Sequence, residues 1–138
     1  MKNYLLTLPL LVLLGGCATT QQGILDANQQ TQIQRRNYQS RAFNTKDKNL
    51  VLRSVVATMQ DLNFIVTKAD YDMGIVTGTS FVNPSTITVS VRDFNDEQTL
   101  VRLNAQIDLK ALEDPKPYQN FFNALEKSLF LEGSEIIE

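Results

Sequence analysis

The chain contains no histidine and a single cysteine. Without histidine, histidine-dependent catalytic triads and the usual zinc sites lack their central base or ligand. One thiol cannot close an intramolecular disulfide. Glycine is scarce, with six in 138 residues, and no glycine-rich phosphate loop occurs; Gly74 and Gly78 fall where strands or turns are expected. Beyond the N-terminal segment, no apolar run approaches the roughly 18 residues that a spanning helix needs. The formal net charge is −2, whereas a general nucleic-acid binder is normally basic. These absences exclude most familiar catalytic chemistry and direct attention to binding.

What the chain does have is a distinctive start. Met1 and Lys2 give a short positive segment, Tyr4 to Leu14 is apolar, and Leu14-Gly15-Gly16-Cys17 follows. A stretch this short reads as a secretory signal that is removed, not as a permanent membrane span. Leu14-Gly15-Gly16-Cys17 resembles the lipobox of bacterial lipoproteins. The resemblance implies cleavage between Gly16 and Cys17, a diacylglycerol on the Cys17 thiol and an acyl chain on the new amino terminus. Two acyl chains already anchor a protein stably. Ala18 after the cysteine, in place of Asp, implies transfer to the outer membrane, with the domain facing the periplasm. Apart from these covalent lipids, no cofactor or metal is expected.

Residues 1–16 are thus expected to be a signal peptide and 17–39 a lipidated cysteine with a flexible, Gln-rich tether. From Thr19 to Gln39 the sequence is rich in Gln, Thr and Asn, and Ile24, Leu25, Ile33 and Tyr38 fit no clear stripe. Such polar sequence buries too little surface to offset its ordering entropy; a short helix formed on a partner is the alternative. Charge is uneven. Arg35, Arg36, Arg41, Lys46, Lys48 and Arg53 crowd one stretch against Asp47, while the end from Glu113 to Glu138 is acidic. The basic stretch is either a solvated segment or a contact for anionic headgroups.

Residues 40–138 are expected to form one α+β periplasmic domain. Arg41-Ala42-Phe43 suits a short strand. Asn44 or Thr45 can cap a helix, with Asp47 in its first turn. Leu52, Val55, Val56 and Met59 share a helical face, with Leu62 close to it. The helix is expected to stop near Asn63, which tolerates the left-handed conformation common past a helix end. Phe64-Ile65-Val66 begins a strand, Asp70 to Gly74 a turn, and Ile75 to Val82 a second strand before Pro84. Then Ile87, Val89 and Val91 alternate with polar residues, as do Val101, Leu103, Ala105 and Ile107, predicting an antiparallel hairpin covered on one face. Asp114 and Pro115 suit the start of a last helix whose stripe is Tyr118, Phe121, Phe122, Leu125 and Leu129, with Gly133 as its stop. The prediction is a two-layer sandwich: an antiparallel sheet of four strands, with room for a fifth, and two helices packed on one face.

The run Val55-Val56-Ala57-Thr58-Met59-Gln60-Asp61-Leu62-Asn63-Phe64-Ile65-Val66, followed by Ala69-Asp70 and Gly74-Ile75-Val76, resembles BamC/NlpB-like envelope lipoprotein domains over about residues 50–79. That pattern often has Gly where this chain has Asn63. The resemblance implies a non-enzymatic module in an envelope assembly and carries over no functional residue.

Other chemistry is thin. Asp70, Asp72 and Gly74 hint at a calcium loop, but Phe81 stands where the closing glutamate belongs. Carboxylates such as Asp93 with Asp96 or Glu97, and Glu113 with Asp114, sit at turns and caps. The remaining feature is the sheet's polar face, where Arg92, Arg102, Asn104, Gln106 and Asp108 are candidate docking residues beside Thr86, Thr88 and Ser90. Edge strands near Arg41 or Phe81 are candidates for strand addition by a partner. The function expected from this is a non-catalytic accessory or scaffold subunit of an envelope protein complex. The alternative is a carrier of lipid or cell-wall glycan, using space lined by Val56, Met59, Phe121, Phe122 and Leu125. A small hydrolase is the least supported class.

Overall fold

In the computed structural model, which describes residues 31–130 and the backbone of 133–135, strands β1 (Ser40–Phe43), β2 (Phe64–Asp70), β3 (Ile75–Ser80), β4 (Ser85–Asp93), β5 (Thr99–Ile107), β6 (Lys110–Ala111) and β7 (Gly133–Glu135) form one sheet. The path is β2-β3-β4-β5-β1-β7, with β6 paired to β5, and every pairing is antiparallel. Helices α2 (Lys48–Asp61) and α3 (Pro115–Leu129) pack on one face. A further helix, α1, runs through 31–39. The α+β two-layer arrangement expected from the sequence is the one observed. Gly16 and Cys17 lie outside the described residues, as does the whole leader.

Local chemistry explains each helix. The Asp47 carboxylate accepts from the Leu50 amide, so Asp47 is the cap itself rather than a first-turn residue after Asn44 or Thr45. Val51, Leu52, Val55 and Met59 are buried, while Val56 and Leu62 are only partly so. Asn63 takes φ +64°, ending the helix as expected. Asp114 caps α3 by accepting from Lys116, and Pro115 occupies a position where a missing amide costs nothing. All five residues of the expected stripe are buried. The stop differs: Phe130, at φ +53°, closes α3, and Gly133 opens β7 instead.

In the sheet, β4 alternates as expected, with Ile87, Val89 and Val91 inward. The inner rows across β3, β4 and β5 are Val76-Val89-Leu103 and Gly78-Ile87-Ala105. A Cβ on Gly78 would lie 2.6 Å from the Met59 methyl carbon and 2.9 Å from the Ile65 carbonyl, so this glycine lets α2 lie close on the sheet. β5 departs from strict alternation. Thr99, Leu100 and Val101 are all buried, while Ile107, expected in the core, is largely exposed at the strand's end.

Three further expectations are corrected. β1 is not an edge strand, because β5 and β7 flank it, and its Arg41 points to the helical layer. There the Arg41 guanidinium donates to Glu126 at 2.7 Å and lies 5.0 Å from the centre of the Phe122 ring. Phe81 and Val82 belong to a turn beyond β3 rather than to a strand. The outer strand on that side is β2, which carries a bulge between Val66 and Lys68, a feature that discourages strand addition. Finally, the stretch expected as tether becomes helical over 31–39 and packs on the domain. The Tyr38 ring lies 5.1 Å from the Tyr118 ring, and Arg35 pairs with Glu113 at 2.7 Å. Tyr38 and Gln39 find their partners about 75 residues away in sequence, so no local stripe announces them.

Candidate functional site

The face of the sheet turned away from α2 and α3 is largely polar, apart from Leu100 and Ala42, which are buried where β5 meets β1. Pairing sets its polar side chains in rows: Thr79-Thr86-Gln106, Thr77-Thr88-Asn104, and Ser90-Arg102-Ser40. The Thr77 and Thr88 hydroxyls are 3.4 Å apart, and the Thr67 hydroxyl donates to the Thr77 carbonyl. Cross-strand bonds of this kind tie neighbouring strands together. Arg102 donates to the Ser40 hydroxyl at 3.1 Å, which holds its side chain along the sheet.

Four of the five expected docking residues, Arg92, Arg102, Asn104 and Gln106, share this face, and Arg92, Asn104 and Gln106 are exposed. Asp108 does not belong to it. β5 ends at Ile107, and Asp108 turns the chain at φ +49°. Simple alternation could not place this break, because it depends on where β6 folds back.

Sequence reasoning missed two features beside this face. The first is a depression of about 310 Å³ lined by Gln32, Arg35, Arg36, Gln39, Arg102 and Asn104. It exists because α1 folds against the free length of β5 that β1 leaves unpaired. Its lining carries donors and three guanidinium groups but no carboxylate, although Glu113 neutralises Arg35 from outside. The second is an apolar cleft of about 210 Å³ at the end of the sandwich, between Leu62 and Phe64, Ile87 and Leu103, and Leu112 and Phe121. This is not the space named for a carrier. Met59, Phe122 and Leu125 are fully buried packing residues, and of the expected lining only Phe121 reaches the cleft.

Tyr38 connects α1 to the rest. Burial pushes its phenol above the ordinary tyrosine value, opposed by the neighbouring Arg35 guanidinium. The protonated phenol donates to the Glu113 carbonyl at 3.1 Å. Since the folded-state value is the higher one, this stability is full below about pH 10 and is lost as pH rises through the folded value. Ultraviolet titration at the tyrosinate band should show a late-titrating component that is reduced in Tyr38→Phe. Titration identical in the two chains would count against this packing.

Among the described residues, no group of three or more His, Cys, Asp and Glu side chains is placed to hold a metal ion, and no helix is long and apolar enough to cross a membrane. Comparison with known proteins finds no family model that matches the chain and no characterised protein with significant sequence similarity.

Proposed function

We propose that the chain is a non-catalytic, lipid-anchored outer-membrane lipoprotein that serves as an accessory or scaffold subunit of a cell-envelope complex. Its covalent lipid on Cys17 supplies the address, and the domain faces the periplasm. The observation that carries the reading is the asymmetry of the sheet. One face is packed by α2 and α3, whereas the other presents an array of Thr, Asn, Gln and Arg side chains. A hydrogen-bonding surface with few large anchors suits a protein partner held beside the membrane, where the lipid supplies the local concentration.

A lipid or glycan carrier is the second reading, favoured by the apolar cleft. At about 210 Å³ the cleft falls below the roughly 300 Å³ at which ligand pockets begin, so scaffold work takes precedence.

The test is photo-crosslinking in cells from Asn104 and Gln106, both exposed on the outer face, with adducts identified by mass spectrometry. A discrete protein adduct is expected. Lipid or glycan adducts without protein would transfer the function to the carrier. Alongside, Cys17→Ser should abolish lipidation and release the mature chain from membranes; a variant still processed and membrane-bound would remove the lipoprotein assignment.

A further inference from the structure

One end of the sandwich carries apolar side chains that the fold does not use. Phe81 and Val82 in the β3–β4 turn are 77% and 80% exposed, and Leu109 in the β5–β6 turn is 93% exposed. The two turns are joined, because the Asp108 amide donates to the Pro84 carbonyl at 3.3 Å. The three side chains therefore belong to one tip, and the mouth of the apolar cleft, at Asn83, Ser85 and Ile107, lies beside it. Singly exposed apolar residues need no explanation, but a clustered tip does.

The opposite end also exposes Tyr71, Met73, Phe94 and Phe130. What separates the two ends is the path of the chain. β1 begins at Ser40 opposite Arg102 and runs away from the tip, so α1 approaches from the tip side. Thr31 shares a depression with Glu113 and Pro115, which lie between β6 and the first turn of α3. Thirteen residues, 18–30, separate Thr31 from Cys17. At full extension thirteen residues span at most roughly 45 Å. A lipid on Cys17 is thus joined to the domain from this end.

We propose that the tip formed by Phe81, Val82 and Leu109 inserts into the phospholipid surface that holds the chain's own lipid anchor, a proposal that rests on the lipoprotein reading above. The domain then stands on the bilayer by its turn end, with the polar sheet face directed sideways to a partner. Charge contributes little. Lys110, Lys116 and Arg36 at this end are offset by Asp108 and Asp114 to a net of about +1, and Arg35 is paired with Glu113. Insertion is therefore driven by apolar burial and varies little with salt or with anionic lipid content.

The chain has no tryptophan, so Phe81→Trp, Leu109→Trp and the opposite-end control Phe94→Trp each report alone. The full lipidated chain is reconstituted in phosphatidylethanolamine–phosphatidylglycerol vesicles with brominated acyl chains. Blue-shifted emission and bromine quenching are expected at positions 81 and 109 and not at 94. A chain shown by mass spectrometry to be lipidated at Cys17, yet unquenched at 81 and 109 or quenched equally at 94, overturns the tip while leaving the anchor intact. A blue shift without quenching assigns the tip to a second copy of the chain and also overturns it. If Cys17 proves unmodified, the anchor reading fails by itself. Cys17→Ser added to preformed vesicles then decides the tip alone: quenching at 81, reduced about tenfold in binding by Leu109→Asp, supports it, and no quenching ends it.

Discussion

Replacing Tyr118 with alanine is expected to destabilise the protein by about 3–5 kcal/mol, the range for deleting a large buried ring. The side chain is fully buried, and its ring packs against Tyr38. Its hydroxyl adds a second function. It donates to the Leu112 carbonyl at 2.8 Å and accepts from the Ala105 amide at 3.4 Å and the Gln39 side chain at 3.5 Å. One side chain therefore ties α3 to β5, to the segment entering α3 and to α1. Tyr118→Phe keeps the ring and loses only the polar links, for a cost of about 1–2 kcal/mol. Domains of this size are stable by only about 5–15 kcal/mol, so the alanine variant should unfold at much lower urea. Chemical denaturation of both variants separates the two contributions. A loss under about 1 kcal/mol for Tyr118→Ala would show that neighbouring side chains close the hole.

Gly74→Ala should be nearly as damaging, for a different reason. Gly74 has φ +69°, but Asn63, Asp108, Leu109 and Phe130 also take positive φ without being glycine. Backbone conformation alone therefore accounts for only about 1–2 kcal/mol. The larger penalty is steric. A Cβ at Gly74 would lie 2.2 Å from the Val91 carbonyl oxygen, and that backbone is held because the Val91 amide donates to the Gly74 carbonyl at 2.7 Å. The turn must move away from β4 and break this bond. A total loss of about 3 kcal/mol or more is expected, against little change for the exposed neighbour in Asp72→Ala. Thermal denaturation of the two variants side by side tests the difference, and equal melting temperatures would contradict it.

Asn63 shows what a sequence can disclose. A residue that tolerates left-handed geometry after an amphipathic run signals a helix end, and the chain turns there as expected. The same holds for Asp114-Pro115, for the five-residue stripe of α3 and for the inward alternation of β4. Each is a local pattern with a period or a cap, and local sterics decide it. Val51 escaped the pattern because the buried side of α2, from Val51 and Leu52 through Ser54, Val55, Thr58 and Met59, is wider than one apolar stripe. Leu100 escaped because two adjacent residues of β5 are buried on opposite faces, which no alternation rule allows.

The candidate docking face was legible for Arg92, Arg102, Asn104 and Gln106, since period two assigns all four to one side of a hairpin. Asp108 was misplaced because strand length is settled by the return of β6. The depression lined by Arg35, Arg36 and Arg102 was not legible, because it needs α1 and β5 to meet.

By itself the sequence determined the two-layer α+β class, the helix boundaries at Asn63 and Asp114-Pro115, the central hairpin and the resemblance of residues 14–17 to a lipobox. All of these are written in neighbours within a few residues of one another. Only the tertiary structure decided that β1 lies between β5 and β7, that 31–39 is a docked helix, and that Phe81, Val82 and Leu109 meet at one end. Those facts rest on pairings between segments roughly 25 to 95 residues apart, such as Pro84 with Asp108, Ser40 with Arg102 and Arg41 with Glu135. Their closure entropy is offset by the assembled core as a whole, and no local pattern records it.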